Sequence, residues 1–203
     1  MKIYHLITNN NTNYQQEIDL LQSYGTLDFN TQNISPLSKL NYYKAMKILA
    51  DEWDLKTPVI ISKTKNGKPY LKNNPLPLSF SHSNKEAVFS IATTNHGIDI
   101  ERERKIPNNL IQRFFSPACI QFLSNHPNPQ WAALNIWTQQ EALAKLLDLP
   151  LTNIIRDIEI NETQIHYIQQ SYFSTCIQTA NNHIITMVSA AEIKYKLHQF
   201  YAG

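Results

Sequence analysis

The sequence predicts a mixed α+β fold, and three observations predict it. Apolar residues recur at three- and four-residue steps in two long stretches, which is the helical period. Short β-branched and aromatic runs, bounded by Asn, Gly and Pro, fill the middle and the end of the chain. No internal repeat, low-complexity segment or long linker divides the two kinds of pattern, so any two lobes share a continuous interface.

Taken in order, Lys2 to Thr8 reads as an opening strand, followed by a polar Asn/Gln-rich stretch without a clear period. Leu37, Leu40, Tyr42, Met46, Leu49 and Trp53 form one apolar helix stripe, with Lys44 and Lys47 together off it. Val59 to Lys63 is a short strand. Leu76 to Phe80, apolar apart from Ser79, and Ala87 to Ala92 read as strands around a Ser83-Asn84 turn. Asn95-His96-Gly97 supplies turn chemistry, Gly97 taking a positive φ at little cost, before the strand Ile98-Asp99-Ile100-Glu101. Beyond residue 105 the period is helical through Leu110, Ile111, Phe114 and Phe115, breaks at Ser116-Pro117, and resumes from Pro129 through Leu147. After Pro150 the stretches Ile154 to Ile160, Gln164 to Gln169, Tyr172 to Thr179 and His183 to Val188 read as strands joined by Asn-rich turns.

Composition removes several classes of function. The 203 residues are 42% hydrophobic, yet no apolar run approaches the roughly 18 residues of a membrane span. Met1-Lys2-Ile3-Tyr4-His5-Leu6 lacks the order of a signal peptide, so a cytoplasmic location is expected. Eighteen Lys and Arg against 16 Asp and Glu give +2, too little for a general nucleic-acid or membrane field. Cys119 and Cys176 lack the spacing of a zinc or redox pair. Only 4 glycines are present, and neither glycine-rich phosphate-loop pattern can be written with them. If this chain handles phosphate, side-chain cations and a metal must do it.

In Ile98-Asp99-Ile100-Glu101 the strand period sends both isoleucines to one face and both carboxylates to the other. Neighbouring acids repel unless water or a cation screens them, and they suit a hard divalent ion; alternating acids on a solvated strand give the same pattern. Trp137, Glu141 and Lys145 share a helix stripe at four-residue steps. Thr138-Gln139-Gln140-Glu141 spells a capping box, but Ala132, Ala133, Leu134 and Ile136 place the helix start upstream of it. An ordinary helical Glu–Lys pair, worth roughly 0.2–0.5 kcal/mol, remains the competing reading of Glu141 and Lys145. Ser81, His82 and Ser83 cluster hydrogen-bonding side chains at a strand end, able to hold phosphate oxygens or simply to bond backbone. Gly67-Lys68-Pro69 is a turn with one lysine.

Taken in order, Gly67-Lys68-Pro69, Phe80-Ser81-His82-Ser83, Gly97-Ile98-Asp99-Ile100-Glu101, Arg113-Phe114-Phe115-Ser116 and Trp137-Thr138-Gln139-Gln140-Glu141-Ala142, with Lys145, resemble the 4'-phosphopantetheinyl transferases of the Sfp type. The resemblance is strong over residues 67–145 and weak on the flanks. It implies a pseudo-dimer of two α+β lobes, 1–96 and 97–203, with the active site in the cleft between them. It implies Mg²⁺-dependent transfer of phosphopantetheine from coenzyme A to a serine of an apo-carrier protein, releasing 3',5'-ADP. Asp99, Glu101 and Glu141 would ligate the metal, and Glu141 would also be the base, direct or through water, for the incoming serine. Lys145 would meet the pyrophosphate, and Lys68, His82 and Ser81 would hold coenzyme phosphates. Lys44 and Lys47 lie where the family places basic residues near the nucleotide. The two-lobed fold implies a monomer. Acidic carriers would dock on Arg102, Arg104, Lys105 and Arg113, a group that also reads as a solvated charge run.

The sequence departs from the family where Gln140 replaces a usual Lys and Cys119 a usual acid, as though a salt bridge had been lost whole. Leu146 to Leu151 also replaces a glycine-containing segment. A coenzyme A- or carrier-binding protein without transfer activity is the alternative, disfavoured because a binder needs no base. Glu103-Arg104-Lys105 spells the Glu-x-Lys of metal-dependent nucleases, but no Asp lies between Asp54 and Asp99 to complete that set. The residues do not single out fatty-acid, polyketide or peptide synthesis.

Overall fold

Two long helices form where the helical period coincides with good end chemistry. The first, Pro36–Trp53, starts at Ser35, whose hydroxyl accepts the Ser38 N–H, and has proline in its first turn. The second, Pro129–Leu147, starts at Asn128, whose side chain accepts the Trp131 N–H. Both end at an aspartate in the left-handed region, Asp54 and Asp148. The computed structural model to which they belong describes residues 1–9, 12–155, 157–161 and 163–201. Its elements are β1 (Lys2–Ile7), α1 (Tyr14–Leu21), β2 (Gly25–Asp28), α2 (Pro36–Trp53), β3 (Val59–Lys63), β4 (Pro69–Leu71), β5 (Leu78–Ser83), β6 (Glu86–Ile91), β7 (His96–Arg102), α3 (Asn108–Phe114), α4 (Pro117–Asn125), α5 (Pro129–Leu147), β8 (Ile158–Ile160), β9 (Gln164–Tyr167), β10 (Gln170–Gln178), β11 (His183–Ser189) and β12 (Lys196–Tyr201).

The expected α+β mixture is present as three sheets, ordered β12-β1-β6-β5, β7-β11-β10-β9-β8 and β2-β3-β4. A first apolar core gathers Tyr4, Met46, Leu49, Ile61 and Phe89 around α2. A second gathers Leu134, Ile136, Leu143, Ile158 and Ile184 around α5. Between the two larger sheets lies a smaller cluster of Ile3 and Val88 from one and Ile98, Ile100, Ile185 and Met187 from the other. The outer strands β5 and β7 of these sheets run beside each other without a shared backbone ladder.

Several expectations are corrected. Gly97 is not in a positive-φ turn but inside β7, and its lack of a side chain serves another purpose: a Cβ there would stand 1.8 Å from the Ala142 carbonyl oxygen and 2.7 Å from Leu146 N. The strand expected over Ile154 to Ile160 is confined to Ile158–Ile160, while buried Ile154 and Ile155 follow a 3-10 turn; Arg156 lies outside the described residues. The Asn/Gln-rich stretch yields α1, with residues 10 and 11 outside the described ones. β2, β4 and β12 were not signalled. β12 pairs parallel with β1, from Lys2 opposite Lys196 to Ile7 opposite Tyr201. No described helix is long and apolar enough to cross a membrane.

Candidate active site

α5 is buried on nearly all sides, and the predicted stripe Trp137, Glu141 and Lys145 is the part left half-open. β7 packs against it at Gly97, so Asp99, two residues along the strand, meets the helix at Lys145. The Lys145 ammonium donates to Asp99 Oδ1 at 2.6 Å and to Ser81 Oγ at 2.8 Å, while Ser81 Oγ donates to Asp99 Oδ1 at 2.6 Å. Ile98 and Ile100 enter the core, and the carboxylates take the other face as the strand period requires. Asp99 is not on a solvated face: it is 4% exposed.

One cleft of about 450 Å³ is lined by Asp99, Glu101, Glu141, Lys145, Lys68, Ser81 and His82 together with Tyr42 and Asp148. Burial pushes the Asp99 carboxyl up, against the pull of Lys145 and Ser81, and the negative Glu101 pushes it further. Burial also raises Glu141, and Asp99 and Glu101 add to the rise while Lys145 opposes it. Three acids therefore face one another with too little positive charge among them. Glu101 Oε2 accepts from Ser83 Oγ at 3.0 Å, and its Oε1 is 3.4 Å from Arg104. Glu141 makes no hydrogen bond or ion pair among the described residues.

Whether these residues fit a divalent cation can be judged from the donors. All are hard oxygen atoms, and Asp99 Oδ2 is buried without a hydrogen-bond partner among the described residues. The set fits. It is not a finished cage: among the described residues no group of three or more His, Cys, Asp and Glu side chains is arranged to hold a metal as it stands. The expected ligands share a cleft, with the Lys145 ammonium serving as the counter-charge of Asp99.

Lys68 reaches the end of α5, donating to Asn95 Oδ1 at 3.1 Å and to the Leu146 carbonyl at 3.4 Å. Its turn is tied there by Thr64 Oγ1 to Asp148 Oδ1 at 2.7 Å and Asn66 Nδ2 to the Asp148 carbonyl at 2.6 Å. Burial lowers the Lys68 pKa, with Asp148 opposing. His82 is exposed on the cleft wall, with Ser38 Oγ 3.3 Å from its Nε2. Lys44 and Lys47 are not in this cleft. They line a separate cavity of about 260 Å³ with Leu6, Ile48 and Phe200, where Lys44 pairs with Glu17 at 2.9 Å and Lys47 with Asp51.

Sequence reasoning missed Lys63. It lies over the rings of Phe29 and Tyr42, 4.6 and 5.6 Å from their centres, and acts electrostatically on His82. No local signal marks it, because those partners come from three separate segments. Gln140 and Cys119 are both fully buried: Gln140 Nε2 donates to the Phe114 carbonyl at 2.8 Å, and Cys119 Sγ lies 3.7 Å from the Ile158 carbonyl.

Residues 95–189, just under half of the chain, match the family model of the 4'-phosphopantetheinyl transferase superfamily. That span contains Asp99, Glu101, Glu141 and Lys145 and leaves out Lys68, Ser81 and His82. No curated protein matches the chain. Among solved structures it is similar to the holo-[acyl-carrier-protein] synthase of Thermotoga maritima, at 12% identity and a TM-score of 0.34, over 47% of this chain and 61% of that one.

Proposed function

We propose that this protein is a 4'-phosphopantetheinyl transferase of the Sfp type, moving the phosphopantetheine arm of coenzyme A onto a serine of an apo-carrier protein and releasing 3',5'-ADP. One observation carries the reading: carboxylates from β7 and α5 converge with Lys145 in a single cleft that Lys68, Ser81 and His82 also line. The match of residues 95–189 to the superfamily supports it independently. The proposal includes two α+β lobes meeting at residues 96 and 97, with β12 returning to the first, and a cytoplasmic monomer.

In this reading Asp99, Glu101 and Glu141 hold a divalent cation such as Mg²⁺, which when bound neutralises charge developing on the pyrophosphate leaving group. Lys145 adds a fixed positive charge beside the same oxygens, and its bonds to Ser81 and Asp99 aim it before substrate arrives. Lys68 and His82, which both line the cleft, bind and orient coenzyme phosphates. Glu141, held by no other side chain among the described residues, accepts the proton of the carrier serine hydroxyl as its oxygen attacks phosphorus. Its raised pKa makes it a better base than an ordinary glutamate. Exposed Arg102, Arg104 and Lys105, directly after Glu101, face an acidic carrier at the site.

The test is to incubate the purified protein with coenzyme A, Mg²⁺ and a panel of apo-carriers and weigh the carriers. A gain of one phosphopantetheine is expected on at least one. Tight coenzyme binding without a mass gain on any carrier favours the inactive binder.

A further inference from the structure

The strands β5 and β7 close the gap between the two larger sheets with serines instead of backbone hydrogen bonds. Ser79, Ser81 and Ser83 alternate along β5 and so share one face. Ser79 Oγ accepts the Ile98 N–H at 3.0 Å, and Ser83 Oγ accepts the Arg102 N–H at 3.1 Å. Ser81 and Ser83 in turn donate to Asp99 and Glu101. The same row of hydroxyls therefore joins the sheets and holds the two acids of β7.

Resting on the transferase reading, we propose that Ser83 is a positioning residue for Glu101, fixing its carboxylate across the sheet junction so that the cleft is ready for a divalent cation. The geometry of the hydroxyl carries this. Its acceptor side is engaged by the Arg102 N–H, which leaves its one proton directed at Glu101 Oε2. The only other partner of that carboxylate among the described residues is exposed Arg104, 3.4 Å from Oε1. Without the Ser83 proton the group is free to turn toward Arg104 and solvent. Asp99 has no such freedom, since Ser81 and Lys145 both hold it.

The experiment measures Mn²⁺ binding to the purified protein, with and without coenzyme A, by loss of the free-ion electron paramagnetic resonance signal. Ser83→Ala is expected to weaken Mn²⁺ binding about tenfold, in the range found when a hydrogen-bond partner of a metal ligand is removed. Ser83→Thr, which keeps the hydroxyl, should stay within about twofold of the parent. In a Glu101→Ala background Ser83→Ala should change nothing further, because it acts through that carboxylate. In the transfer assay Ser83→Ala should raise the Mg²⁺ concentration for half-maximal rate about tenfold and leave the rate at saturating Mg²⁺ nearly intact. Parent-like Mn²⁺ binding by Ser83→Ala overturns the proposal, as does equal loss in Ser83→Thr or an undiminished effect without Glu101. A parent protein that binds no Mn²⁺ under either condition overturns the carboxylate reading itself, and this inference with it.

Discussion

Asp99 combines features that stability alone would not select. A carboxylate 4% exposed carries a desolvation cost, and one of its oxygens has no partner among the described residues. Asp99→Asn keeps the shape but removes the charge opposite Lys145, and is expected to lower carrier modification by about 10²–10³-fold, measured as initial rate of mass gain. Glu141→Gln should do the same to the rate and the opposite to stability. The glutamate is half-buried, repelled by two acids and without a hydrogen bond or ion pair among the described residues, so a neutral isostere should raise the melting temperature by a few degrees. Lower stability in Glu141→Gln would contradict that crowding of charge in the cleft. Glu103, exposed and one residue past the strand's end, should tolerate alanine with transfer rates unchanged.

The meeting of β7 and α5 decides where those side chains stand. Gly97→Ala would place a methyl 1.8 Å from the Ala142 carbonyl oxygen, which a helix backbone cannot absorb without moving away. A loss of about 3 kcal/mol is expected from such overpacking, read by urea unfolding, with transfer lost in the folded remainder because Lys145 no longer reaches Asp99. This contact also marks where the sequence stopped being legible. The Trp137, Glu141 and Lys145 stripe and the split of Ile98 and Ile100 from Asp99 and Glu101 were readable, since both depend on periods local to one element. The role of Gly97 was not: a glycine between Asn-His and a strand reads as turn chemistry, and only the helix arriving from 45 residues later reveals the lack of room. Likewise β12 exists by pairing with β1 across the whole chain, and β2 by pairing with β3. Lys44 and Lys47 were correctly placed off the apolar stripe of α2, but which cavity that side faces depends on α1 and β1, not on the stripe.

At the scale of the molecule, the two larger sheets are joined by an apolar cluster, by the serine row, and by a buried polar knot. In that knot Glu86 Oε2 lies 2.6 Å from His5 Nε2 and 3.3 Å from His183 Nδ1, and Glu86 Oε1 accepts from Asn181 at 2.9 Å. β1 and β6 supply one side of it and the β11 end the other. Burial lowers the His5 pKa below its usual 6.5 despite the opposing pull of Glu86, and burial lowers His96 as well. A histidine depressed in the folded state binds more protons when unfolded, so its contribution to stability is complete above about pH 6.5 and is lost as pH falls through the folded pKa. Asp99 and Glu141 run the other way. Their folded pKa values are raised, so the folded state gains from them below about pH 4 and pays as pH rises through the raised values. A bound divalent cation relieves that second cost only where the acids are ionised. In a protein carrying Asp99→Asn and Glu141→Gln, where the opposing acids are removed, melting temperatures should therefore fall from pH 7 to pH 5.5 as the histidines charge, while in the parent the increment produced by Mg²⁺ or Mn²⁺ should be larger at pH 8 than at pH 5. Removing the Glu86 charge with Glu86→Gln takes away the influence that supports protonated His5, so the fall toward pH 5.5 should steepen, with the Mg²⁺ increment at pH 8 unaffected. A cation increment independent of pH would separate the acids of the cleft from the ion, and an unchanged acid limb in Glu86→Gln would remove the knot from the account of how the sheets hold together.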